Sequence, residues 1–136
     1  MNVNKLFYMR AMMTLLFLLA SSLAFSQYFY DGSGRLVARF DNKYVYNGSG
    51  KNIGRIDSDM VYDGSGHQVG RIDGNYYYDG SGRQIGRVDG NYLFSGSGKQ
   101  IGRLDGDRLY DGSGRQIGRA DGLRRMQIII FFYYFY

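Results

Sequence analysis

The chain has 136 residues, a formal net charge of +5, 21 glycines, no cysteine and no proline. That length suits one domain, and the lack of cysteine excludes disulfides, thiolate metal sites and a lipid-modified cysteine. The cations are spread along the chain and form no basic cluster, so the charge describes a solvated surface and no nucleic-acid partner is expected.

Residues 1–26 are unlike the rest. Lys5 and Arg10 precede the apolar run from Ala11 to Ala20, and Ala24-Phe25-Ser26 places small residues at the two positions that matter for cleavage. This is the pattern of a secretory signal peptide cut after Ser26, which sends the product to the periplasm or cell surface. A membrane anchor is the competing reading. The stretch from Ala11 to Phe25 is shorter than the ~20 residues a span needs, and Ser21-Ser22 interrupt it. Loss of Lys5 and Arg10 lowers the charge to about +3.

From Gln27 onward the chain repeats every 16 residues. The Gly-Ser-Gly core begins at Gly32, Gly48, Gly64, Gly80, Gly96 and Gly112, with no insertion between copies. A fixed period signals a repeat architecture. Each unit, as in Tyr78 to Leu93, has two turn signals. Asp79-Gly80-Ser81-Gly82 combines a residue that bonds its own backbone with glycines that accept positive φ. Asp89-Gly90-Asn91 between strand formers is a hairpin signal. The runs Gln84–Val88 and Tyr92–Phe94 are too short for stable helices and rich in Tyr, Ile and Val. The unit is therefore an antiparallel hairpin that cannot stand alone, and the domain of residues 27–122 is expected to be an all-β array of them, packed radially like a propeller or stacked as a spiral.

Strict alternation puts Ile85 and Arg87 on one face and Gln84, Gly86 and Val88 on the other. Apolar groups then lie on both faces, so each hairpin is expected to have neighbours on both sides. Gly86, repeated as Gly54, Gly70, Gly102 and Gly118, marks a close approach, with a Tyr ring of the adjacent run as the candidate. Complete units start at residues 31, 47, 63, 79 and 95, and a partial one starts at 111. The arms 27–30 and 115–120 are left without hairpin partners and are free to close a ring.

Residues 123–136 break the period. Nine consecutive apolar or aromatic residues, Ile128 to Tyr136, end the chain. They are about half the length of a helical span. Their β-branched and aromatic content predicts a closing or central core strand. The alternative is an exposed contact for a partner, a second copy or a membrane interface. A transmembrane barrel is rejected, because the hairpin arms are about half the ~10 residues that cross a bilayer.

Chemical sites are scarce. Gly80-Ser81-Gly82 lacks the Lys-Ser/Thr and the helix of a phosphate loop. Each turn offers one carboxylate, too few for calcium, which takes six to eight oxygens. No cofactor and no metal are expected. His67 is the only histidine, and its equivalents are Arg35, Lys51, Arg83, Lys99 and Arg115. The position is a polar turn flank and no unique general base, so an enzyme is not expected. Arg55, Arg71, Arg87, Arg103 and Arg119 recur, each with an Asp two residues on. They imply Arg–carboxylate bridges or Arg–Tyr stacking between neighbouring hairpins, or a ring of cations able to hold an anion.

The unit Tyr-Asp-Gly-Ser-Gly-Arg-Gln-Ile-Gly-Arg-Val-Asp-Gly-Asn-Tyr, behind a signal peptide and ahead of Gly122-Leu123-Arg124-Arg125-Met126-Gln127, resembles the five-fold β-flower proteins over residues 27–136. Tyr-Asp-x-x-Gly-Arg is also similar to the YD repeat of Rhs shell proteins, which form far longer spirals. The resemblance implies hairpins around an axis and no particular activity. Five complete units and six turn cores leave the count at five or six. Tyr46-Asn47 and Phe94-Ser95 show that the Asp is not needed at every turn. The functional expectation is an exported structural or interaction module with an envelope protein or glycan as partner. A glycan- or anion-binding protein using its Tyr/Arg-rich surface is the alternative.

Overall fold

The computed structural model describes residues 3–23 and 27–136. An N-terminal helix, α1 (Val3–Leu23), precedes twelve strands: β1 (Tyr28–Asp31), β2 (Leu36–Asp41), β3 (Tyr44–Asn47), β4 (Asn52–Asp57), β5 (Met60–Asp63), β6 (Gln68–Asp73), β7 (Tyr76–Asp79), β8 (Gln84–Asp89), β9 (Tyr92–Ser95), β10 (Gln100–Asp105), β11 (Arg108–Asp111) and β12 (Gln116–Asp121). A second helix, α2 (Arg125–Tyr134), follows. The cleavage signal Ala24-Phe25-Ser26 lies outside the described residues. Among the described residues, no helix is long and apolar enough to cross a membrane.

The strands form one closed antiparallel barrel in chain order. Five hairpins are continuous across the Asp-Gly-type turns, from β2–β3 to β10–β11. The sixth pair is made by the ends of the repeat domain. β1 pairs with β12 through Tyr28↔Asp121, Phe29↔Ala120, Tyr30↔Arg119 and Asp31↔Gly118. The two arms that lack hairpin partners in the sequence thus remove each other's edge, and six equivalent sectors surround the axis.

The two glycines of each Gly-Ser-Gly turn serve different needs. Gly82 sits at φ 88°, a conformation that a Cβ disfavours. Gly80 meets its neighbour instead: a Cβ there would lie 2.5 Å from the Gln68 carbonyl oxygen. The first glycine lets adjacent sectors touch, and the second lets the chain turn.

Strict alternation fails at one place per sector. Tyr77 opposes Gly86 but Tyr78 opposes Gln84, so Ile85 is an extra residue in a β-bulge. A bulge places two residues of one strand against one of its partner. Ile85 therefore packs against the core that contains Val88, while Arg87 stays on the outer wall. Apolar groups expected on two faces converge on one. The hairpins touch sideways around a ring, and their outer face meets solvent.

The expected C-terminal strand is a helix. A closed barrel offers no free edge to a thirteenth strand, so a strand inside it would leave its own N–H and C=O groups unpaired in an apolar lumen. A helix satisfies its backbone internally. α2 lies along the lumen with Ile128, Ile129, Ile130 and Phe131 buried against Phe29, Val45, Val61, Tyr77, Val88, Leu93 and Leu104. It enters at the Asp-Gly mouth, where Arg125 donates to Asn91 and to the Gly90 carbonyl. Its end reaches the Gly-Ser-Gly mouth, where Tyr136 lies near Asp31 and Gln116.

The recurring strand glycines are seats for the rings of this helix. A Cβ on Gly54 would meet Phe135, on Gly70 Tyr134, on Gly86 Tyr133 and on Gly102 Phe132. Four consecutive residues leave a helix about 100° apart, so one turn sends rings to four consecutive sectors. Gly118 seats Phe29 of β1 instead, and the sixth equivalent is Ala38, fully buried. The ring expected over Gly86 thus comes from the far end of the chain and not from the adjacent run.

Overpacking a filled site costs about 1–3 kcal/mol. Gly70→Ala and Gly86→Ala, whose Cβ atoms would lie 2.2 and 2.1 Å from ring carbons, are expected to lose that much in chemical denaturation. Gly102→Ala, with its nearest ring atom at 3.0 Å, is expected to lose less. Equal losses at all three sites would contradict the seating.

Candidate functional site

The polar chemistry lies at the surface, because the core of the described residues contains no buried polar or charged side chain, and two parts of that surface recur in every sector. The first is the outer wall. Each sector holds an arginine over the ring directly across its hairpin: Arg39 over Tyr46, Arg55 over Tyr62, Arg71 over Tyr78, Arg87 over Phe94 and Arg103 over Tyr110, at 4.2–4.5 Å from the centroid. Arg119 lies 4.9 Å over Tyr30 across the closing seam. A guanidinium over a ring face is attracted by the ring quadrupole. The stacking occurs within hairpins, where alternation on opposed strands puts both residues on the outer face, and not between them.

Several of these arginines also reach the Asp two residues on. Arg71 lies 3.9 Å from Asp73, Arg87 3.5 Å from Asp89 and Arg103 3.5 Å from Asp105. Exposed pairs of this kind contribute little to stability, so they order the guanidinium more than they hold the fold. Arg55 differs: its Nε is buried without a hydrogen-bond partner. Arg55, Arg71, Arg87, Arg103 and Arg119 therefore form a belt around the outside of the barrel. Tyr44, Tyr76 and Tyr92 stand beside this belt with 37–46% of their surface exposed.

The second surface is the rim of Gly-Ser-Gly turns. In each, the residue before the first glycine accepts from the turn. Asp79 Oδ1 takes the Ser81 N–H at 3.0 Å, the Ser81 hydroxyl at 2.8 Å and the Arg83 N–H at 3.0 Å. Asn47 Oδ1 accepts the same three bonds, and Ser95 Oγ accepts the Lys99 N–H at a longer 3.2 Å. These bonds explain why Asn and Ser can replace Asp: the turn needs an acceptor and not a charge. They hold the carboxyls below the usual carboxylate range. The Ser81 and Ser113 hydroxyls contribute most at Asp79 and Asp111, and the Arg35 and His67 backbone N–H groups at Asp31 and Asp63. Arg35, Lys51, His67, Arg83, Lys99 and Arg115 close the six turns and are all exposed. His67 Nδ1 lies 3.5 Å from Asp63 and is one member of this ring.

Inside the barrel, the phenols of the plug bond the backbone of the wall. The Tyr133 hydroxyl donates to the Arg87 and Phe94 carbonyls at 3.1 and 2.8 Å, and that of Tyr134 to the Arg71 and Tyr78 carbonyls at 3.2 and 2.8 Å. Tyr77 stacks on Tyr133 with centroids 4.6 Å apart. Burial pushes the Tyr77 and Tyr134 phenols up to about 12, and that of Tyr133 up as well. They are anchors for α2 and do not form a reactive cluster. Among the described residues no group of three or more His, Cys, Asp or Glu is placed to hold a metal ion. Sequence reasoning names the wall arginines. It lists the rim cations only as tolerated substitutes for His67, although their 16-residue recurrence is the signal that marks them as one ring.

A family model described as "5-fold beta-flower protein" matches residues 26–136. No curated protein and no solved structure matches.

A carboxylate with a lowered folded value stabilises fully above its unfolded value, ordinarily about 3.9, and loses that contribution as the pH falls through the folded one. Replacing Asp31, Asp63, Asp79 and Asp111 by Asn keeps the acceptor and removes the titration. The variant is expected to melt close to the parent at pH 7 and to lose less on acidification below pH 4. An unchanged acid limb would show that these turns carry none of the pH dependence.

Proposed function

The chain belongs to the 5-fold beta-flower family, and from that premise we propose that it is an exported, non-catalytic module that acts through its surface. One observation carries the reading: the lumen, the place where a barrel of this width would hold a ligand, is filled by the chain's own α2, with Ile128–Phe131 at 2–3% exposure. The side chains left to meet another molecule are on the wall and at the two ends of the barrel. They are Arg, Tyr, Asp, Ser and Gln, side chains suited to contacts and held in repeated positions. Export is supported by the two cations, the apolar run and the small residues of positions 1–26.

Two measurements test this. The protein recovered from a bacterial envelope fraction is expected to begin at Gln27. A chain beginning at Met1 and confined to the cytosol would contradict export. A photoreactive side chain at exposed Tyr92 is expected to cross-link to other molecules of the envelope. The same group at Leu93, fully buried, is expected to give adducts within the chain only. The reverse pattern would place the working surface in the lumen.

A further inference from the structure

The rim offers more than exposed cations. Between successive turns the structure has open grooves that repeat with the sectors. One lies between Arg115 and Asp31-Gly32-Ser33, one between Arg35 and Asn47-Gly48-Ser49, and one between Arg83 and Ser95-Gly96-Ser97. Their volumes are about 350, 580 and 410 Å³, within the size range of small-ligand sites. Each is floored by the start of the following strand, Gln116-Ile117, Leu36-Val37 or Gln84-Ile85. The same lips recur in the remaining sectors through the 16-residue period.

We infer that these grooves bind a neutral saccharide chain, one sugar unit to a groove. The inference rests on the surface-contact reading above and assigns its site and ligand class. Donors and acceptors face each other across every groove. The cation donates in each, joined by the Gln116 or Gln84 amide in two of the three grooves. The Ser hydroxyl of the next turn, whose proton goes to its own Asx side chain in four of the six turns, accepts, as does the Gln carbonyl where Gln84 or Gln116 is present. A ring of vicinal hydroxyls, each both donor and acceptor, satisfies both lips, and its C–H face covers an Ile or Val floor. The charge balance selects against ions. Five cations of the rim, Arg35, Lys51, Arg83, Lys99 and Arg115, stand among four carboxylates, Asp31, Asp63, Asp79 and Asp111. A nucleic acid or sulfated polymer would set its own charges against those carboxylates. The carboxylates themselves are fixed: Asp31 Oδ1 is held by the Ser33 and Arg35 N–H groups, and Oδ2 lies 3.6 Å from Arg35. Open grooves of this kind bind weakly one at a time. A ring of them on one rigid body gains avidity of roughly 10²–10⁴ for a repeating ligand without any new contact.

The test is binding of the full chain to an array of neutral hexose and N-acetylhexosamine oligosaccharides, with heparin, polyphosphate and an oligonucleotide alongside. Saturable binding to at least one neutral chain is expected, and it should persist in 0.5 M salt, roughly the regime where charge contacts are screened. A variant with alanine at Arg35, Lys51, Arg83, Lys99 and Arg115 should lose affinity roughly tenfold or more by the avidity argument. Its melting temperature should not change, because these side chains are exposed and the turn bonds use their backbones. Three results would overturn the inference. One is no binding to any neutral chain. Another is binding only to the polyanions, with the steep salt dependence of counterion release. The third is loss of binding in a Tyr44→Ala/Tyr76→Ala/Tyr92→Ala variant but not in the rim variant. That last result moves the contact to the wall and leaves the surface-module reading intact. A cytosolic chain beginning at Met1 would remove the exported-module reading itself.

Discussion

The contact between an aromatic ring and a glycine backbone holds this architecture together. Twelve strands about 4.8 Å apart, tilted as barrel strands are, enclose a ring about 23 Å across. Eight strands are few enough for inward side chains to fill the interior; twelve are not. The lumen needs a second layer, and a helix with its side chains, 10–12 Å wide, supplies it. The fit closes only where the wall is thin. At Gly54, Gly70, Gly86 and Gly102 the wall has no side chain, and Phe135, Tyr134, Tyr133 and Phe132 rest on the backbone itself. Tyr133 and Tyr134 then bond the carbonyls of paired strands, so the plug clamps the β8–β9 and β6–β7 hairpins from within.

The rest of the repeat serves ring formation at the edges of that contact. The bulge at Ile85 packs a half-buried apolar residue against the edge of the core and leaves Arg87 outside. Gly80 and its equivalents let each turn touch the carbonyl of the sector before it. The Asp79 carboxylate gathers the N–H groups that a tight turn leaves unpaired. Since the lumen is taken and the seam is closed by β1 and β12, other molecules reach the barrel through its wall and its two ends. Pseudo-symmetry then repeats every surface feature around the axis. Five hairpins are continuous in the chain and a sixth is completed by its ends, which accounts for five complete units beside six turn cores.

Much of this is legible in the residues. The 16-residue spacing of Gly-Ser-Gly gives the hairpins, and the leftover arms 27–30 and 115–120 give the closure. The turn roles of Asp79 and Gly82 follow from local chemistry alone. Three features are not legible, for physical reasons. The bulge at Ile85 depends on pairing with the previous strand, which alternation within one strand does not reveal. Ile128–Tyr136 is apolar on every side, so it shows neither a helical nor a strand period. Such a helix belongs in a core, and only the absence of a free edge in a closed ring decides for helix over strand. The grooves of the rim are made by two successive turns, so neither turn shows them by itself. Four strand glycines with four consecutive rings at 132–135 contain the answer in hindsight, since each glycine asks for a bulky neighbour that the hairpins do not supply.

If the seated rings hold the barrel, the chain ending at Gly122 should not form it. Near-UV circular dichroism of that truncated chain, with and without a synthetic peptide of residues 123–136, measures this directly. The expected result is no fixed aromatic signal and no cooperative melt alone, with both restored when the peptide is added. A truncated chain that shows the full-length spectrum and melts at the full-length temperature without the peptide would contradict the account.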